Sequence, residues 1–288
     1  MLLIIPICLV PLVLGIMLGN RLAKRGLTAE NALEKHQKTV YFIVIPVTIA
    51  IGLGLILGKL ELTGWVPLFI LLHLGEHFDS LVLAIGWFGV GLLLGLEWRG
   101  RTEFKRLQQL ILTIVVMTVP LFFLMSYWLP VSVSSPLIMD GIVLQTTTYT
   151  CAPASIATLA KWTKIAPDTT EKEAAAIAGT NRFGTGGLAE MRAMRRLRLK
   201  PEYRRNLTVN DLVILNHPAL LHVKALIGGE RIGHAIALLG IDPVEKTLTI
   251  GDPLDGIHVK SFEELEPAAG YWTGEAVLVK ASAFPIAP

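Results

Sequence analysis

The chain has 288 residues, of which 52% are hydrophobic and only 17% charged, with a net charge of +3. An ordinary globular domain has about a quarter of its residues charged, so the apolar excess needs a non-aqueous home, and the small net charge gives no sign of a nucleic-acid partner. Two cysteines exclude a disulfide framework, and no Gly-rich loop ending in Gly-Lys-Ser or Gly-Lys-Thr is present, which leaves no P-loop ATP site.

The long apolar runs fall almost entirely before residue 131. Four of them, at roughly residues 2–19, 41–58, 80–96 and 110–129, are long enough to cross about 30 Å of hydrocarbon. They predict an all-α membrane region over 1–130 with four transmembrane helices. The first run has no basic leader and no small-residue cleavage site, so it reads as a retained span rather than a signal peptide. Cys8, inside it, reads as a packed small residue.

Basic residues set the expected orientation. Arg21, Lys24, Arg25, Lys35 and Lys38 separate the first two spans, and Arg99, Arg101, Lys105 and Arg106 separate the last two. The middle connection carries only Lys59. Short loops rich in Lys and Arg stay cytoplasmic, which puts the N-terminus, the middle connection and the C-terminal half on the opposite side. That connection also holds His73, Glu76 and His77 in the spacing of a helical zinc site. A further ligand is required, Asp79 is too close in sequence to serve, and Gly75 weakens a helix there. No metal and no cofactor are expected.

Beyond a linker at 131–140, residues 141–288 read as α+β, with helices first and an antiparallel sheet after. A helix is expected over residues 152–163, starting immediately after Cys151, with Pro153 tolerated in its first turn. Glu171–Ala178 is a second helix, and the Gly184-Thr-Gly-Gly187 approach opens a third through Leu188 and Met191. From Asp211 onward the pattern is strands: 219–225, 234–241, 247–251, 257–259 and 276–279. A turn at Pro243–Lys246 sets Ile241 opposite Thr247. Asp252 then falls opposite Ile236, diagonal to His234 and on its face of the sheet.

These elements bring together residues that carry chemistry. A cysteine at a helix N-terminus sits where the positive end of the dipole favours thiolate, the form that attacks carbonyls. Gln145, six residues before Cys151, supplies a side-chain amide for the oxyanion. His234 is the expected base and acid, and Asp252 the group that fixes its tautomer. His217 and His222 are rival bases, and Asp242 is a rival orienter that turn chemistry explains better. Arg192, Arg195, Arg196, Arg198, Lys200, Arg204 and Arg205 form a basic run, read as a solvated face with contact to anionic lipid or an acidic peptide as the alternative.

At Gln145, Cys151-Ala-Pro-Ala154, Gly184-Thr-Gly-Gly-Leu188, His234, Asp252-Pro253 and Tyr271-Trp-Thr-Gly274, the sequence resembles the bacteriocin-processing cysteine peptidases. These are papain-like domains that cut leader peptides after a double glycine. The resemblance spans roughly Gly141–Lys280. It implies a papain-like cysteine peptidase with Cys151 as nucleophile, His234 as base, Asp252 as orienter and Gln145 at the oxyanion hole. The implied setting is a bacterial plasma membrane, with a peptide or protein substrate, the lipid bilayer and a separate transporter as partners. Family members fused to exporters carry the peptidase ahead of the membrane domain, whereas here it follows. An acyl-transfer or amidase enzyme with the same triad, and a non-catalytic peptide-binding domain, are the alternative readings.

Overall fold

A computed structural model describes residues 4–27, 84–96, 131–135, 137–182, 184–227 and 229–284, together with isolated positions 38, 42, 45, 49 and 81. The chain divides into two compact units, Met1–Met125 and Ser126–Pro288. In the first, helix α1 runs Ile4–Lys24 and a second helical stretch covers residues 84–96. Gly15 and Gly91 set their approach: a Cβ on Gly15 would strike the Phe88 carbonyl, and one on Gly91 the Leu12 carbonyl. Gly19 and Gly95, each four residues further on, repeat the contact one turn later. Among the residues whose side chains are described, no helix is long and apolar enough to cross a membrane. Isolated positions apart, the expected spans at 41–58 and 110–129 lie outside the described residues, as does the His73–His77 cluster.

The second unit opens with a hairpin, β1 (Leu137–Met139) and β2 (Ile142–Leu144), whose first strand lies inside the stretch read as linker. Three helices follow: α2 (Cys151–Trp162), α3 (Glu171–Ala178) and α4 (Gly187–Arg196). Next come β3 (Pro201–Arg204), α5 (Val209–Leu215), β4 (Ala219–Ile227), β5 (Glu230–Asp242), β6 (Thr247–Asp252) and β7 (Gly256–Ser261). The short α6 (Phe262–Leu265) and β8 (Trp272–Val279) complete the unit. Strands β3 to β8 form one antiparallel sheet in the order β3-β8-β4-β5-β6-β7.

The sheet is covered on both faces, so β5 buries six consecutive residues from His234 to Leu239 rather than alternating. One face carries the core of Leu221, Ile236, Leu238, Ile250 and Trp272, closed by Val209 and Leu212 of α5 and Leu265 of α6. Against the other lies α2, which buries every residue from Ala152 to Ala160. Its small side chains permit close approach, and its two buried hydroxyls fix its rotation. Ser155 Oγ donates to the Ala235 carbonyl at 2.9 Å, and Thr158 Oγ1 accepts the Val143 N–H at 3.0 Å. Among the described residues Trp272 is the largest fully buried side chain, with Nε1 donating to the Glu275 carbonyl at 2.9 Å. Its replacement by alanine is expected to cost about 3–5 kcal/mol, read as a lower midpoint in denaturant.

Three expectations are corrected. The strand region does not begin at Asp211: residues 209–215 are a helix, because Thr208 and Asp211 form a capping box at its N-terminus. His234 does not open its strand: β5 begins at Glu230 and continues a hairpin with β4 beyond the sheet. At the 243–246 turn, Asp242 rather than Ile241 faces Thr247. A bulge between Leu238 and Gly240 absorbs that extra residue. Below it Ala237 faces Gly251, so one step further Asp252 lies opposite Ile236, as the sequence predicts.

Candidate active site

The site assembles where α2 meets His234 of β5 and Asp252 at the end of β6. Cys151 is the first residue of α2. Thr150, at the N-cap, does not cap the helix with its side chain. Its hydroxyl turns back to donate to the Thr147 carbonyl at 3.1 Å and to accept the Thr147 N–H at 3.3 Å. The first-turn N–H groups of α2 therefore keep no side-chain acceptor beside Cys151, which leaves partial positive charge there.

His234 is buried, and its Nε2 lies 2.8 Å from Asp252 Oδ1. The other ring nitrogen is Nδ1, and Cys151 is near enough to His234 to favour its charged form. Burial alone would push the imidazolium pKa down. The bonds and charges of Asp252 and Cys151 outweigh it and raise the value from 6.5 to about 9. For Asp252, burial opposes ionisation, yet the His234 bond and the Leu254 N–H, 2.9 Å from Oδ1, hold the carboxyl below its usual range. The arrangement is a carboxylate holding a buried imidazole by one nitrogen, with a thiol close enough to act on its charge.

Gln145 joins this group through its backbone, donating its N–H to the carbonyl of Pro253, the residue after Asp252, at 2.8 Å. Its side-chain Nε2 donates to the Thr147 carbonyl at 3.0 Å, while Oε1 is buried without a partner. An amide nitrogen has two hydrogens, so one remains for a second acceptor.

The rivals are engaged elsewhere. His217 Nδ1 bonds the Ser282 carbonyl. His222 lies between Glu190 (2.7 Å) and Glu275 (3.4 Å); burial opposes its charge, but the two carboxylates raise it to about 10. Asp242 Oδ1 accepts the Val244 and Glu245 N–H groups at 2.9 Å each, which is turn chemistry. In the basic run, Arg195, Arg196, Arg198 and Lys200 are exposed, Arg204 pairs with Glu202, and Arg205 stacks over Tyr203 at 5.5 Å. Among the described residues no group of His, Cys, Asp and Glu is arranged to hold a metal. Sequence reasoning missed Ser155 and Thr158, whose signal was polarity inside an apolar helix face, and Glu171, which carries no such signal.

Residues 141–274 match the model of the Peptidase_C39 like family. Among solved structures, the peptidase domain of Streptococcus ComA, a bifunctional ABC transporter involved in a quorum sensing pathway, is 27% identical. That match covers 47% of this chain and 93% of that one, with a TM-score of 0.38. The Streptococcus mutans ComA peptidase domain is also 27% identical, over 48% of this chain and 97% of that one, at TM-score 0.34. A double glycine motif protease from an AMS/PCAT transporter, in complex with the leader peptide, is 20% identical, over 51% and 92%, at TM-score 0.38. No curated protein matches the chain. The C-terminal unit is thus an α+β domain similar to this peptidase family, with an antiparallel sheet.

Proposed function

We propose that the chain is a membrane-anchored cysteine peptidase that cuts a peptide or an exported protein segment. The observation that carries the reading is the Asp252–His234 contact at 2.8 Å, with Cys151 at the start of α2 acting on the same imidazole's charge. In this reading the Cys151 thiolate attacks the scissile carbonyl carbon, forming an S–C bond and an oxyanion. The second Gln145 amide hydrogen and a first-turn N–H of α2 stabilise that charge. Collapse breaks the C–N bond, and the His234 imidazolium gives its proton to the leaving amine. The thioester is then hydrolysed by a water that His234 deprotonates, returning the thiol and releasing the acid. Asp252 holds the ring in place and favours its charged form.

The membrane part of the proposal draws on the four apolar runs and on the glycines, four residues apart, through which α1 meets residues 84–96. Small residues at such spacing are the usual route to close packing of membrane helices. The basic loops put the peptidase unit on the extracytoplasmic side, and a separate transporter would be its natural supplier of substrate.

Full-length chain in detergent, incubated with peptides that include an internal Gly-Gly, tests the chemistry by mass spectrometry. A new free N-terminus supports hydrolysis. Mass gain on an added amine points to acyl transfer, and peptide retained uncut points to a binder. Gln145→Ala is expected to lower kcat by about 10²–10³ with KM little changed; an unaltered kcat would remove Gln145 from the mechanism.

A further inference from the structure

We propose that Glu171 is a positioning residue for Gln145, an inference that rests on the cysteine-peptidase reading of Cys151. Glu171 is fully buried at the first position of α3, where the Thr170 side chain caps the helix by accepting the Glu173 N–H at 3.2 Å. Its Oε1 accepts the N–H of Thr146 at 2.8 Å. No cation pairs with it among the described residues. Burying a carboxyl group is costly unless its bonds repay the lost hydration, and an apolar side chain would fill the space without that cost. What only the carboxyl supplies here is the acceptor for Thr146.

That acceptor matters because of where Thr146 lies. The N–H groups of Gln145 and Thr146 are consecutive and are held from two separate elements. Gln145 N–H bonds Pro253, just past Asp252, and Thr146 N–H bonds Glu171, on the helical layer, each at 2.8 Å. The Gln145 side chain itself is only loosely tied. Its Nε2 has one bond, to the Thr147 carbonyl, and its Oε1 has none. Glu171 Oε2 is likewise buried without a partner. With so little holding the amide, the aim of Gln145 depends on its backbone, and Glu171 is one of the two anchors of that backbone. A misplacement near 1 Å in a catalytic group can cost on the order of 100-fold in rate.

The test separates two reactions of the same thiol on the full-length chain. Alkylation by iodoacetamide needs the thiolate but develops no oxyanion. Acylation by p-nitrophenyl acetate forms an S–C bond through an oxyanion and expels p-nitrophenolate. Glu171→Ala is expected to slow acylation by about 10- to 100-fold and to leave alkylation of Cys151 and its pH profile unchanged. Glu171→Gln, which keeps a carbonyl oxygen for Thr146, should restore acylation. Adding Glu171→Ala to Gln145→Ala should slow acylation no further, since the two act as one unit. If the alanine variant does not fold, Glu171→Met fills the volume without an acceptor and carries the same expectation. Acylation at the wild-type rate in the Ala or Met variant, or additive losses with Gln145→Ala, would overturn the inference. A wild-type chain that alkylates quickly yet never acylates would instead sink the cysteine-peptidase reading, and this inference with it.

Discussion

Cys151→Ala is expected to abolish peptide cleavage, with kcat falling by about 10⁴- to 10⁶-fold, the scale on which a lone nucleophile is lost from a triad. The loss should be chemical rather than structural. Cys151 is only partly buried, and α2 is held by its buried face and by the Ser155 and Thr158 bonds, none of which involves the thiol. Circular dichroism and the denaturation midpoint should stay near wild type, within about 1 kcal/mol. Peptide affinity should survive as well, so the variant becomes a binder of uncut substrate. Cleavage that persists in Cys151→Ala would place the nucleophile elsewhere.

Asp252→Ala has the next largest expected effect, and its direction follows from the charges. Burial disfavours the His234 imidazolium, and Asp252 is the main partner that reverses this and brings the value to about 9. Without it, desolvation dominates and the ring neutralises at lower pH. The alkaline limb of kcat/KM should therefore move from near 9 towards or below 6.5. At neutral pH the rate should fall by about 10²- to 10⁴-fold, the usual contribution of a positioned acid–base group. Asp252→Asn keeps an oxygen for the ring but no charge, so it should lie between. The same linkage shapes stability. The raised His234 value contributes stability that is complete below about 6.5 and lost as pH rises through about 9, and the lowered Asp252 value contributes stability present above 3.8 and lost under acid. Folding should gain most from the pair between those limits, in a comparison of denaturant midpoints against Asp252→Ala.

Much of this arrangement could be read from the sequence because cysteine, histidine and aspartate are chemically distinctive, and Cys151 and Asp252 lie at element boundaries. The pairing of His234 with Asp252 was predicted through a register that is wrong by one at the turn. The bulge at Leu239 leaves no mark in sequence, since Leu238, Leu239 and Gly240 are all compatible with an unbroken strand; by absorbing one residue it makes the extrapolated pairing hold where it matters. Helix α5 is only seven residues long and its Val-Ile-Leu content suits helix and strand alike, although Thr208-x-x-Asp211 marks a helix start. The early onset of β5 was hidden because Glu230 to Gly233 are exposed and lack an apolar alternation, their pairing being set by β4 across the hairpin. Glu171 was the hardest to see. It reads as an ordinary acidic residue in a helix's first turn, and only the tertiary fold brings it to the Thr146 N–H. In the N-terminal unit, apolarity was legible and helix contact was not: Gly15, Gly19, Gly91 and Gly95 reveal their purpose only when two helices are set face to face.

The most direct test of the account is the alkylation rate of Cys151 by iodoacetamide across pH, in the full-length wild type and in His234→Ala. Resolving it peptide by peptide keeps Cys8 from contributing. The account predicts rapid alkylation at neutral pH that depends on His234, slowed by at least about tenfold in the alanine variant. Equal rates in the two proteins at every pH would contradict it, because the imidazole held by Asp252 would then do nothing for the thiol beside it.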